Sequence, residues 1–181
     1  MGAKLMVYPI PIYLIATYNA DGKANVMTVG WGGVCCSNPP CISISVRKAT
    51  HTYHALIERE AFTANLPSED FGNEVSYFGK VSGRNENKFE QTGLTPVKST
   101  FVDAPYIEEM LINLECKIIQ IHEIGSHTQF IGQIVNAKIN SDLKEDGTPI
   151  IEQLKPIVYG VGNDHRYYRI GEVIIPKGQK N

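Results

Sequence analysis

Residues 25–52 read NVMTVGWGGVCCSNPPCISISVRKATHT. The start of this stretch is rich in β-branched and aromatic residues, which favours a strand over residues 24–31 or on to Cys36. Ser37-Asn38-Pro39-Pro40 breaks this strand. Isoleucine and valine then alternate with serine, which predicts another strand over residues 41–46. A helix should begin at residues 50–52, because either threonine there can cap it.

The chain on both sides of this stretch has the same short apolar period. Further strands are predicted at residues 12–18, 61–66, 112–124, 128–140, 157–161 and 167–175. Asn19-Ala20-Asp21-Gly22 predicts a turn before the strand that starts at residue 24. Gly125-Ser126-His127 separates two long runs and predicts an antiparallel hairpin. Asp146-Gly147 marks another turn.

Two helices are predicted between these strands. The first has an apolar face formed by Tyr53, Leu56 and Ile57. The second starts at residues 67–70, which supply a cap and acids, and its apolar face holds Phe71, Val75 and Phe78. Residues 82–93 are predicted as a loop with one short helical turn. Because strands dominate, we predict a mainly β protein, a closed β-barrel with a few helices, in a single domain over residues 1–181.

Composition excludes several classes of function. A net charge of -2 and a pI near 6.2 argue against a nucleic-acid partner, which normally needs a basic excess. The apolar run over residues 5–16 is interrupted by two prolines and is too short to span a bilayer, so we expect a cytoplasmic protein. The spacing of the four cysteines does not suit a metal site. We interpret them as buried small hydrophobes in a reducing compartment.

The segment from Ser45 to Thr52 has the composition of a phosphate site. A strand ends there, Arg47 and Lys48 follow, and hydroxyl groups with His51 lead into a helix start. Phosphate is bound by backbone N–H groups at a helix start, by hydroxyl donors and by cations. The alternative is an ordinary solvated strand-to-helix turn with a threonine cap.

Two further features are typical of a site for a flat ligand. Trp31, the only tryptophan, lies among three glycines, and glycine lets the backbone approach a flat ligand closely. The alternative is a core tryptophan beside bulge glycines. His127 lies at a predicted hairpin tip, where functional residues are common, although a lone turn histidine is often without function.

Taken in order, these motifs resemble those of the flavin reductase-like family, and within it the flavoredoxin group. The matching segments are Asn25 to Thr28 with Trp31, residues 37–40, residues 45–52, residues 62–67, Ser82-Gly83-Arg84 with Lys88-Phe89, and His127 with residues 130–132. The similarity covers nearly the whole chain. It implies an FMN-binding split β-barrel, usually a homodimer with flavin sites near the subunit interface.

The resemblance also implies which residues contact FMN. Around the ring it places Asn25, Val26, Met27, Thr28 and Trp31. Around the ribityl phosphate it places Ser45, Val46, Arg47, Lys48, Thr50, His51 and Thr52. From other segments of the chain, the resemblance implies that Lys88, His127 and Tyr159 also contact the flavin. No side chain is assigned as a nucleophile or general base, because the flavin carries the chemistry.

The function that follows is a redox flavoprotein, an NAD(P)H:flavin oxidoreductase that passes electrons from NADH or NADPH through FMN to free flavin or to a protein acceptor. One alternative is an FMN electron carrier that a protein partner reduces without nicotinamide. Another is a non-redox flavin-binding module that acts through its interface. The same residues serve the first two hypotheses, so the sequence leaves both open.

Overall fold

The computed structural model describes residues 2–139, 144–145, 148–162 and 164–174. Within these residues there are fourteen strands and four α-helices. The strands are β1 (Ile10–Pro11), β2 (Tyr13–Tyr18), β3 (Ala24–Val29), β4 (Gly32–Ser37), β5 (Pro40–Val46), β6 (Ala61–Leu66), β7 (Pro96–Lys98), β8 (Pro105–Ile107), β9 (Ile112–Ile124), β10 (His127–Ile139), β11 (Lys144–Glu145), β12 (Thr148–Pro149), β13 (Ile157–Tyr159) and β14 (Tyr167–Arg169). The helices are α1 (His51–Arg59), α2 (Gly72–Lys80), α3 (Lys88–Thr92) and α4 (Ile151–Leu154).

A seven-stranded antiparallel sheet forms the body of the protein, in the order β3-β2-β6-β9-β10-β5-β4. Its two edge strands, β3 and β4, are consecutive in sequence and are joined by Gly30 and Trp31 alone. Because two residues span only about 7 Å, the ends of the two edges must lie close together and the sheet curls into a barrel. The Ser45 amide of β5 donates to the Trp31 carbonyl at 2.7 Å across this junction. The expectation of a mainly β barrel with a few helices is confirmed.

The strand β2 is buried on both faces, which explains its nearly continuous apolar sequence. Tyr13 and Ile15 belong to the cluster inside the barrel, which also contains Phe62 and Phe130. Leu14 and Ala16 point the other way, into a second cluster with residues of α2 and α3. Because side chains alternate along a strand, one face of β2 packs into the cluster inside the barrel and the other face packs into the second cluster.

The helices begin where local capping chemistry allows it. Ser68 accepts a hydrogen bond from the Asp70 amide and starts a 3₁₀ turn over Glu69–Phe71, after which α2 begins at Gly72. Asn87 caps α3 by accepting from the Glu90 amide. In the described part of the chain, no helix has both the length and the apolar character needed to cross a membrane.

Several predicted boundaries need correction. The strand expected to run on to Cys36 is divided by the crossing at Gly30 and Trp31 into β3 and β4, which lie at opposite edges of the sheet. The loop predicted over residues 82–93 contains the helix α3. The late strands are shorter than predicted, since β13 ends at Tyr159 and β14 at Arg169. The predicted ends at residues 140 and 175 and the turn at residues 146–147 lie outside the described residues.

Two side-chain predictions also fail. Ile57, predicted on the apolar face of the first helix, is 42% exposed, because the side of α1 that faces the core is formed by Thr52, Ala55 and Leu56. The cysteines are not uniformly buried: Cys41 and Cys116 are, but Cys35 and Cys36 are exposed on the edge strand β4. An edge strand has a neighbour on one side alone, so its side chains are covered less completely than those of an inner strand.

Candidate functional site

The first cavity, of about 510 Å³, opens where the two edges of the sheet approach each other. Its walls come from the end of β3, the Trp31 crossing, the end of β5, one face of α2, the start of β10, and the strands β13 and β14. Nine of the predicted site residues line it: Met27, Thr28, Trp31, Ser45, Val46, Arg47, Thr50, His127 and Tyr159.

Close packing of glycines shapes the backbone beside this cavity. A Cβ atom on Gly30 would lie 2.8 Å from Ile10 Cδ1, and one on Gly32 would lie 2.9 Å from the Ser43 carbonyl oxygen. Real Cβ atoms do not approach other atoms so closely, and because the Ser43 oxygen belongs to the backbone and cannot move aside, position 32 needs glycine. Gly32 therefore allows the backbone just after the crossing to lie close to the backbone of β5.

One wall of the first cavity is a stacked pair of rings. Trp31 and His127 have ring centroids 6.0 Å apart and planes only 10° from parallel. Partial burial lowers the pKa of His127, and the nearby Arg47 guanidinium lowers it further. Both effects favour the neutral imidazole, whose ring with that of Trp31 offers flat aromatic surface to a ligand.

A second aromatic part of the lining comes from the small sheet β1-β13-β14. The Tyr159 hydroxyl lies 2.7 Å from His165 Nδ1, and the Tyr159 and Tyr167 rings are 5.3 Å apart. Tyr8, from the N-terminal segment, donates to the Val161 carbonyl and ties that segment to the same sheet. This part of the lining brings together residues about 150 positions apart in the chain.

One edge of the cavity is polar and cationic, with Arg47 and Thr50 from the turn before α1 and Lys80 from the end of α2. Thr50 is the residue before α1, but its hydroxyl donates to the Arg47 carbonyl at 2.8 Å instead of capping the helix. The predicted threonine cap is thus wrong in detail, because the hydroxyl closes the turn. In the described part of the chain no side chain caps the first amides of this nine-residue helix, which makes them potential donors to an anion.

The helix α2 is fixed against β3 beside the cavity. The Thr28 hydroxyl donates to the Val75 carbonyl at 2.6 Å, and Thr28 Cβ would be in ordinary contact with a Cβ atom on Gly79, at 3.5 Å. This packing places Ser76, Gly79 and Lys80 on the cavity wall. The sequence reasoning did not identify these residues, although a lysine in the last turn of an amphipathic helix was a usable signal.

The other six predicted residues lie outside this cavity. Val26 is fully buried in the second cluster, with residues of α2 and α3. Lys48 is exposed and forms an ion pair with Glu123. Asn25 is buried and donates to the Thr52 hydroxyl at 2.9 Å, which joins β3 to α1. His51 and Lys88 line a different cavity.

A second cavity, of about 540 Å³, adjoins the first at the start of α1. It is lined by polar residues, among them Asn25, His51, Arg84 and Lys88. His51 Nε2 is buried and has no hydrogen-bond partner in the described part of the chain. Burial lowers the pKa of His51, and the cations of Arg84 and Lys88 lower it further.

Lys88 has an unusual position for a lysine, since it is only 4% exposed. Its ammonium group donates to the carbonyl oxygens of Val26, at 2.8 Å, and Phe78, at 3.1 Å. Burial lowers the pKa of Lys88 to about 8. In this structure Lys88 therefore joins α3 to β3 and α2, and its contact with a flavin stays a prediction.

Comparison with known proteins identifies the class. Residues 5–168 match the flavin reductase-like domain family, so the chain belongs to that family and has its split β-barrel fold. A flavoredoxin of Desulfovibrio vulgaris (Miyazaki F) superimposes with a TM-score of 0.92 at 41% identity, over 98% of this chain and 96% of that one. A flavoredoxin from Methanosarcina acetivorans superimposes with a TM-score of 0.91 at 27% identity, over 99% of this chain and 94% of that one.

A relative known from its sequence, an uncharacterized protein of Archaeoglobus fulgidus, is 33% identical over 145 residues, 80% of each chain. Together with the family assignment, these relatives support a flavin-binding redox function. The predicted resemblance to the flavoredoxin group is confirmed.

Proposed function

We propose that this protein binds FMN in the first cavity and acts as an NAD(P)H-dependent flavin reductase or flavoredoxin-like electron-transfer protein. The observation that carries the proposal is the combination, in one cavity, of flat aromatic walls with a cationic edge. The family assignment supports a flavin, and the cationic edge favours its phosphorylated form over riboflavin.

The aromatic walls suit the isoalloxazine ring. Trp31 and His127 present nearly parallel faces, and Tyr159 and Tyr167 add a second pair of rings to the lining. A planar ring gains from such surfaces through burial and offset stacking. The flavin proposed here would rest against side chains that are neutral at neutral pH, with the Arg47 cation at the edge of the cavity.

The cationic edge suits the ribityl phosphate. Arg47, Lys80 and the Thr50 hydroxyl are its side-chain donors, and the first amides of α1 add backbone donors. Charge-assisted hydrogen bonds of this kind are stronger than neutral ones. Lys48 has no part in this proposal, since Glu123 already pairs with its ammonium group.

A bound flavin supplies hydride acceptance and electron transfer. The chain's own residues bind and orient it and limit its contact with water. His127 does so without adding charge, because burial and Arg47 hold the pKa of its imidazole below the usual value. No side chain is needed as a nucleophile or general base in this proposal.

An absorption spectrum of the purified full chain, recorded without oxygen before and after adding NADH or NADPH, tests this function. Flavin bands should be present, or appear on adding FMN, and the nicotinamide should bleach them. Flavin bands that NADH and NADPH do not bleach would favour the electron carrier that a protein partner reduces. A protein that stays colourless with FMN would contradict flavin binding and favour the non-redox module.

The proposal includes a homodimer, which the family resemblance implies. Its support in this chain is the β9–β10 hairpin, along which Ile119, Ile121, Ile124 and Val135 are each more than 40% exposed. Burying such side chains against a second copy is favourable at about 25 cal/mol per Å² of apolar surface. Light scattering should give the dimer mass, and Ile121→Lys should shift it toward the monomer. A monomeric wild-type protein would contradict this part.

A further inference from the structure

The β4–β5 hairpin carries three of the four cysteines away from the first cavity. Cys35 and Cys36 are exposed on β4, and Cys41 is 2% exposed on β5. Cys36 lies about 17 Å along the strand from Trp31, because an extended residue spans roughly 3.3 Å. The proposed flavin function makes no use of these thiols.

The strand register places Cys36 directly opposite Cys41. Opposite residues of antiparallel strands have Cα atoms about 4.5 or 5.5 Å apart, and both separations fall within the roughly 4.4–6.8 Å that a disulfide spans. Cys35 occupies the irregular position between Val34 and Cys36, where the register shifts by one residue. Of the two exposed cysteines, Cys36 is therefore the one in register with Cys41.

Exposure separates the roles of the two thiols. Cys36 can be reached by a dissolved reagent, whereas Cys41 lies beneath the hairpin and donates to the Pro39 carbonyl at 3.4 Å. Burial raises the pKa of Cys41, and the neighbouring thiols of Cys36 and Cys35 raise it further. Because the thiolate is the attacking species, Cys41 is the poorer first nucleophile, and its position opposite Cys36 suits it to the second attack.

We propose that Cys36 and Cys41 form a reversible dithiol–disulfide site that exchanges with small organic disulfides. The Cys36 thiolate attacks one sulfur of a disulfide RSSR, forms a Cys36–S–S–R bond and releases RS⁻. Cys41 then gives its proton to water and attacks Cys36 Sγ, which forms the Cys36–Cys41 bond and releases the second RS⁻. The two protein thiols lose two electrons, and RSSR is reduced to two RSH. This chemistry stands independently of flavin binding.

The test uses the purified, fully reduced chain with glutathione disulfide as the oxidant. After incubation the protein is denatured and alkylated with a maleimide, and its cysteines are assigned by peptide mass mapping. Cys36 and Cys41 lie in one tryptic peptide, so they should escape alkylation and appear as an internal disulfide of that peptide, while Cys35 and Cys116 are alkylated. Dithiothreitol should restore alkylation at all four. Alkylation at all four after oxidation, or a glutathione adduct that stays on Cys36, overturns the proposal.

Two variants at exposed positions of the edge strand sharpen this test without disturbing the core. Cys35→Ser is the matched control and should form the same disulfide as the wild type. Cys36→Ser should leave Cys41 alkylated as fully as in the reduced protein. If Cys36→Ser still links Cys41, now to Cys35, and Cys35→Ser forms no disulfide, the exchange belongs to Cys35. That result would overturn the role given to Cys36.

Discussion

The two cavities that adjoin at the start of α1 differ in the chemistry of their walls. Thr50 lines the first together with Trp31, whereas the next residue, His51, lines the second together with Lys88. The first combines aromatic faces with a cationic edge, and the second is mainly polar. A planar anionic ligand suits the first cavity better, because only there does it gain stacking as well as charge pairing.

The same contrast separates Arg47 from Lys48. Both residues lie in the turn between β5 and α1, where Arg47 lines the first cavity while Lys48 pairs with Glu123 at the surface. The predicted binding stretch is thus continuous in sequence and divided in space. Four experiments test this division.

The largest expected effect concerns the buried ammonium of the second cavity. Burial lowers the pKa of Lys88 from 10.5 to about 8. Between these values the unfolded chain holds this proton and the folded chain does not, so stability should rise with pH across the window, by up to roughly 3 kcal/mol. Urea unfolding at about pH 7.5 and about pH 10 measures the change. Lys88→Met, which cannot titrate, should show a smaller rise. Equal pH dependence in both proteins would contradict a buried charged lysine.

The next effect concerns the cationic edge of the first cavity. Arg47→Ala should weaken FMN roughly 10- to 100-fold, since a charge-assisted hydrogen bond contributes about 1.5–3 kcal/mol. Riboflavin, which has no phosphate, should bind almost unchanged. Titration calorimetry with both ligands measures this difference. Lys48→Ala is the matched control and should bind both as the wild type does. Equal losses for FMN and riboflavin would place the phosphate elsewhere.

A spectroscopic effect is expected at Trp31. It is the only tryptophan of the chain, and its ring faces the first cavity, so its emission reports on that cavity alone. Saturating FMN should quench this emission strongly in the wild type. It should quench the emission of Arg47→Ala as strongly, although this variant needs more FMN to reach saturation. Emission that stays unchanged at saturation would place the ring of the flavin away from Trp31.

The smallest effect concerns His127. Burial is the main cause of its lowered pKa, and the Arg47 cation is the second. Arg47→Ala should therefore raise the pKa of His127 part of the way toward its usual value, and Lys48→Ala should leave it unchanged. An NMR titration of the imidazole resonances measures both. A pKa that does not move in Arg47→Ala would show that the guanidinium lies too far from the ring to act on it.

Much of the fold could be predicted because long strands carry their own signal. The hairpin of β9 and β10 was predicted nearly to the residue, since two long apolar runs flank one tight turn at Gly125 and Ser126. The division of residues 24–36 could not be predicted. A strand that continues and a strand that crosses between sheet edges have similar compositions, and only the contacts of Gly30 and Gly32 distinguish them. The helix α3 was also underestimated, because a buried lysine anchors its start.

The sequence by itself determined the β-rich class, the two main helices, the family and the stretch that supplies Trp31 and Arg47. These follow from local patterns, which need no knowledge of what lies opposite. Only the tertiary structure decided which side chains share a cavity, because that depends on how β3 and β4 meet and where α2 packs. In the tertiary structure Lys80, His165 and Tyr167 line the first cavity, whereas Lys48 and Lys88 lie outside it. The strand register also places Cys36 opposite Cys41.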